Sequence, residues 1–202
     1  MFNLIEAAGW PIWLLIISSL IAVTLIVERI IYLRRKNILP PKLLAEVVHE
    51  LKQRGVTPQM LERLCANSPL GRVFAAGLKN IKSTPQVMKE AIEEEGRCVS
   101  HDMDRFLTTL GTIASISPLL GLFGTLIGMI EIFGAQNAGG SNPAELAHGI
   151  SVALYNTAFG LLIAIPSMIF YRHFRALVDS FIIDMEQQAV RLVEVVHGAR
   201  KS

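Results

Sequence analysis

Thr125 is the only hydroxyl in GLFGTLIGMI, residues 121–130, and Asn156 and Thr157 stand side by side in ALYNTAFGLLIAIP, residues 153–166. Both stretches are otherwise glycine, alanine and large apolar residues, and the first meets no charge until Glu131. A hydroxyl donates and accepts, so it can bond an ionised carboxylate and its protonated form in turn. That chemistry suits a group that changes charge. Spacings of three and four put Thr125 on one helical face with Ala114, Pro118, Gly121 and Gly128. The same spacing puts Thr157 with Gly149, Ala153, Gly160, Ala164 and Ser167. Two explanations fit these small-residue faces. One is close helix packing, with Gly124 and Gly128 forming a GxxxG and threonine bonding its own backbone. The other is the lining of an interhelical cavity shared by several copies. Composition and spacing leave both open.

Other chemistries find little to work with. Cys65 and Cys98 form no CxxC pair, and His49, His101, His148, His173 and His197 are scattered without metal-ligand spacing, so no metal site is expected. There is no Ser-His-Asp pattern or paired-carboxylate motif, and GLFGTLIG lacks the lysine and the strand-loop-helix context of a phosphate-binding loop. No enzyme activity and no cofactor are expected. A net charge of +2, with Lys and Arg in blocks rather than along a stripe, excludes a nucleic-acid binder.

The elements that hold these hydroxyls are set by hydropathy. The 202 residues are 51% hydrophobic and 18% charged, with mean hydropathy +0.45, which is a membrane composition. Three spans are predicted, at 10–33, 107–133 and 149–171. The first reads PIWLLIISSLIAVTLIVERIIYL from Pro11 to Leu33, roughly 23 residues and long enough for about 30 Å of hydrocarbon. Trp10, Trp13 and Tyr32 mark its two interfaces, and Glu28 and Arg29 near one end are expected to snorkel. Arg34, Arg35 and Lys36 follow span one, Arg97 and Arg105 precede span two, and Arg172 and Arg175 follow span three. No Lys or Arg lies between Arg105 and Arg172. The positive-inside rule then places the N-terminal segment 1–9 and the loop 134–148 outside, and 34–106 and 172–202 in the cytoplasm. An acidic start, MFNLIEAAG, with the basic block after the apolar run favours an uncleaved anchor over a signal peptide. Residues 1–9 are read as a short amphipathic outer helix.

The cytoplasmic part reads as helical, and the fold class as all-α. Thr57-Pro58, Ser68-Pro69 and Thr84-Pro85 are helix starts, with the hydroxyl as N-cap and proline at the first helical position. Leu43, Leu44, Val47, Val48 and Leu51 have helical spacing, with Gly55 as the stop. From Thr84 the pattern continues into span two with no breaker but Gly96. Phe174, Leu177, Phe181, Met185, Ala189, Leu192 and Val196 carry span three onward to Gly198. Two long helices packing together in the cytoplasm are therefore expected.

SISPLLGLFGTLIGMIEIF (115–133) followed by HGISVALYNTAFGLLIAIPSMIFY (148–171) resembles the paired membrane signature of the MotA/TolQ/ExbB family, its ExbB and TolQ branches most of all. The resemblance covers all three spans, the topology, the cytoplasmic region and the short outer loop. It implies a homopentamer in the bacterial inner membrane, N-terminus periplasmic and C-terminus cytoplasmic. This ring surrounds the single membrane helices of an ExbD-like partner and uses the proton-motive force. It further implies that Thr125 and Thr157 face the central pore near an aspartate of that partner. The complex then drives a TonB-like transducer that opens outer-membrane transporters, or, in the TolQ branch, maintains envelope integrity. A paralogous motor and a passive membrane scaffold remain the alternatives.

One position departs from the pattern. The family form carries glutamate in G-I-A-E-A-L, and Val152 stands at that place here. Glu28, Glu131 and Glu145 all lie toward the ends of spans or outside them, so no acid sits near mid-membrane. A charge there costs at least ~2.5 to 3.5 kcal/mol, so a crossing proton needs a carboxyl that it neutralises. The chain must borrow that carboxyl. Thr125 and Thr157, helped by Asn156, are the expected hydrogen-bonding partners for it, and Glu131 is the expected group for taking up protons from the outer side.

Overall fold

The computed structural model describes residues 9–139 and 143–198. All regular structure among the described residues is helical: α1 (Pro11–Tyr32), α2 (Arg35–Ile38), α3 (Leu43–Arg54), α4 (Pro58–Asn67), α5 (Pro69–Lys79), α6 (Pro85–Asp104), α7 (Leu107–Gly139) and α8 (Pro143–Val196). Among the described residues, three helices are long and apolar enough to cross a membrane. The amphipathic helix expected over residues 1–9 lies outside the described residues except for Gly9. Most of the segment read as the outer loop is helix, because α7 runs on to Gly139 and α8 begins at Pro143.

The chain forms two compact units. The first takes residues 1–28 and 106–173 and contains the apolar parts of α1, α7 and α8. Only 17%, 22% and 28% of the most apolar stretch of the three spanning helices is buried within the chain, so most of their surface faces something else. Leu20, Ile130 and Leu162 are each about two-thirds exposed or more, at 70%, 68% and 66%. A water-soluble protein does not display that much contiguous apolar surface, but hydrocarbon and neighbouring helices accept it. The narrow core of this unit is Ile12, Leu15, Leu107, Leu110 and Ala114, together with Ser117, Asn156 and Ser167.

The second unit, residues 29–105 and 174–202, has the opposite character. Its interior is an ordinary apolar core of Leu43, Val47, Met60, Leu70, Phe74, Met88, Phe181, Met185 and Leu192. The predicted starts of its helices are all capped: Thr57 accepts from the Met60 amide, Ser68 from Gly71 and Thr84 from Val87. Gly55, with φ +71°, ends α3 in a backbone conformation that only glycine takes up without strain. Arg72 ties α5 to α6 through Glu95 and Asp102. The hydrogen bond to Asp102, with further help from Glu95, raises the guanidinium above its ordinary pKa, so this cation is permanent. Asp104 at the end of α6 pairs with Arg175 of α8 at 2.8 Å, bringing together the two helices expected to run side by side.

Two expectations need correction here. The helical pattern from Thr84 into span two is broken by a turn at Arg105–Phe106, although no Gly or Pro lies there. Nor does Arg29 snorkel: it is 2% exposed, its Nη1 donates to the Met103 carbonyl at 3.0 Å, and its Cζ lies 5.2 Å from the Tyr32 ring centroid. The two facts are linked. A carbonyl beside a helix break needs an outside donor, and the guanidinium supplies it with charge assistance. Arg29→Met is expected to cost about 2 kcal/mol by orphaning that carbonyl, and Arg29→Lys to recover little, because an ammonium lacks the planar fork. The melting midpoints of the two purified variants in mild detergent check this.

Candidate functional site

The two small-residue faces meet each other inside one chain. A Cβ on Gly121 would lie 2.7 Å from the Asn156 carbonyl oxygen and 3.0 Å from Thr157 Cα. One on Gly160 would lie 2.6 Å from the Ser117 carbonyl oxygen and 3.1 Å from Gly121 Cα. Gly124 abuts the Asn156 side chain, and Gly128 abuts Ala153. Glycine at these positions lets the backbones of α7 and α8 approach as no other residue would. Ala114, Ala153 and Ala164 are buried, whereas Pro118 and Gly149 are half-buried.

Thr125 and Thr157 stand at this contact, and both are half-buried rather than enclosed. Their Oγ1 atoms are 2.6 Å apart. Thr125 Oγ1 also reaches the Gly121 carbonyl at 3.1 Å and, across the helices, the Ala153 carbonyl at 3.2 Å. Each hydroxyl has one proton to give. When Thr125 donates to those carbonyls, Thr157 must donate to Thr125, and the pair then presents only the lone pairs of Thr157. When Thr157 donates elsewhere, Thr125 turns its proton toward Thr157 and leaves the carbonyls. The pair therefore has two hydrogen-bonded arrangements, one accepting at its exposed edge and one donating there.

Asn156 is 1% exposed and lies against Gly124, so it belongs to the helix contact more than to an accessible surface. Ser117 and Ser167, also buried, return their hydroxyls to the carbonyls of Ile113 and Ile163, each at 2.7 Å. They sit beside Pro118 and Pro166, where the helix ladder loses an amide. Ser117 was not among the sequence candidates, and its signal was present in the Ser-Pro pair. Glu131 lies six residues beyond Thr125 on α7 and is exposed; among the described residues no group of three or more His, Cys, Asp or Glu could hold a metal.

A tight pair of apolar helices joined by two bonded hydroxyls, in a unit whose outer surface is largely apolar, defines a helical membrane protein. Residues 65–187 match the model of the MotA/TolQ/ExbB proton channel family, and the chain belongs to that family. It is 32% identical over 164 residues to an ExbB-like biopolymer transport protein of Synechocystis, covering 79% of this chain and 77% of the relative. It is 28% identical over 193 residues to the Tol-Pal system protein TolQ of Pseudomonas aeruginosa, covering 87% and 83%. The biopolymer transport protein exbB1 of Vibrio cholerae is 49% identical over 70 residues, 34% of this chain and 31% of that one.

Proposed function

We propose that this chain is the ExbB-like stator subunit of a motor driven by the proton-motive force of the bacterial inner membrane. Five copies enclose the single helices of an ExbD-like partner, and the complex energises a TonB-like transducer for outer-membrane transport. The N-terminus lies in the periplasm, and the second unit lies in the cytoplasm as the rigid part of the stator. The observation that carries this reading is the half-exposed Thr125–Thr157 pair at 2.6 Å, in spans that own no acid near their middle.

In its accepting arrangement the pair suits the protonated carboxyl of a partner aspartate, and in its donating arrangement the carboxylate. Loading and unloading a proton on that acid thus reverses the hydroxyl chain. A proton falling through ~100 mV releases about 2.3 kcal/mol, enough to bias such an exchange and a small rotation at each step. Glu131, toward the outer end of α7, takes up the proton. Val152 supplies no acid, which the partner's carboxyl makes good.

Reconstitution tests this. Vesicles holding the chain alone should pass no protons under an imposed voltage, and vesicles holding it with a single-span partner that carries a membrane aspartate should. Proton flux through the chain alone overturns the proposal, and absence of flux from both favours a passive scaffold. The TolQ relative, matched over most of both chains, supports a second reading in envelope integrity. Deletion separates the two: loss of uptake of a large iron chelate marks the ExbB role, and detergent sensitivity without that loss marks the TolQ role.

A further inference from the structure

The first unit holds a cavity of about 340 Å³ between α7 and α8 that the hydroxyl pair does not explain. Glu131 lines it from α7, and His148, Val152, Ala153 and Asn156 line it from α8. His148, Val152 and Asn156 follow one another at intervals of four, so this wall descends two helical turns, roughly 12 Å, from an exposed imidazole to a buried amide. Ala153, whose carbonyl Thr125 Oγ1 reaches at 3.2 Å, is a residue of that wall, so the cavity ends beside the hydroxyl pair.

We propose that this cavity is a hydrated proton antechamber, with Glu131 and His148 as a collecting pair at its mouth that feeds the Thr125–Thr157 pair. The proposal rests on the motor reading above and extends it to a second residue and a path. At ~30 Å³ per liquid water the volume takes roughly ten waters, and a carboxyl and an imidazole give the waters at its mouth partners. The chemistry conserves protons simply. A hydronium outside gives its proton to the Glu131 carboxylate or the His148 imidazole, forming an O–H or N–H bond and leaving water. That bond then breaks toward a cavity water, and the site returns to its first state.

The residue types also choose the ion. Alkali and alkaline-earth cations want several oxygen ligands, and an imidazole accepts a proton at a ring nitrogen while donating from the other. Glu131 and His148 are the only titratable side chains among the described residues lining the cavity. Val152 leaves the deeper wall without a proton site, which confines collection to the mouth.

The test uses the full chain reconstituted with its acidic single-span partner, with proton flux read as a function of pH on the outer side. Glu131→Gln with His148→Gln together should slow flux about tenfold at neutral outer pH. Lowering the outer pH by one to two units should restore it, because a denser proton supply replaces a missing collector. Thr157→Val should not be restored by acid, which separates failure of the collector from failure of the motor. A double variant that assembles and conducts at the parental rate across the pH range overturns the proposal. So does one whose loss acid does not repair, or a parental complex driven by a sodium gradient. A parental complex that passes no protons overturns this proposal and the motor reading together.

Discussion

Under the proposed motor function, replacing Thr157 by valine should leave the oligomer assembled and stop the motor. Valine keeps the branched shape, so the helix contact survives, and the lost hydrogen bond costs only about 1 kcal/mol. What disappears is function: without Oγ1 the pair has no group at its exposed edge that both gives and takes a proton. Thr125→Val should have the same functional result at a higher structural cost, because Thr125 Oγ1 also reaches the Ala153 carbonyl of α8 at 3.2 Å. Driven uptake of an iron chelate or vitamin B12 in cells whose own subunit is deleted should fall at least tenfold in each variant, with the purified oligomer eluting unchanged. Thr157→Ser keeps the hydroxyl and should retain most of the activity. Full uptake in both valine variants would end the proposed role of the pair.

Much of this molecule was legible before its structure, for reasons that can be assigned residue by residue. Thr57, Ser68 and Thr84 announced helix starts because a hydroxyl before proline solves a strictly local problem, the bonding of the first free amides. The three spans were legible because a bilayer demands about twenty apolar residues in a row. Arg29 was misread for the same reason: hydropathy sees a charge near a span end and sends it to the interface. Its real partner, the Met103 carbonyl, is 74 positions away. The break at Arg105–Phe106 was hidden because it carries neither glycine nor proline. The small faces of α7 and α8 could be read from spacing, but the spacing within each helix could not show that they meet one another within one chain. Nor did His148 stand out, since its neighbour in the cavity wall, Glu131, is on a different helix.

The glycines allow one substitution to be tested with opposite signs in the same protein. Gly121→Ala and Gly160→Ala should each destabilise the folded subunit, because the new methyl would press on backbone at 2.7 Å and 2.6 Å, where no flexible side-chain end can yield. Overpacking of this kind typically costs about 1–3 kcal/mol. Leucine at either site should prevent accumulation of folded protein. Gly96, in the interior of α6, has nothing within 4 Å of its would-be Cβ. Gly96→Ala should therefore stabilise by about 0.5–1 kcal/mol, through helix propensity and a less flexible unfolded chain. Melting in mild detergent, followed by the amount of intact oligomer left after heating, measures all of these on one scale. The comparison also bears on mechanism: the separation of α7 and α8 fixes the 2.6 Å distance between Thr125 and Thr157, so a methyl at Gly121 that wedges the helices apart should weaken driven uptake in the surviving folded fraction. If Gly121→Ala were as stable as Gly96→Ala and fully active, the close approach of the two helices would not be what holds the hydroxyl pair together.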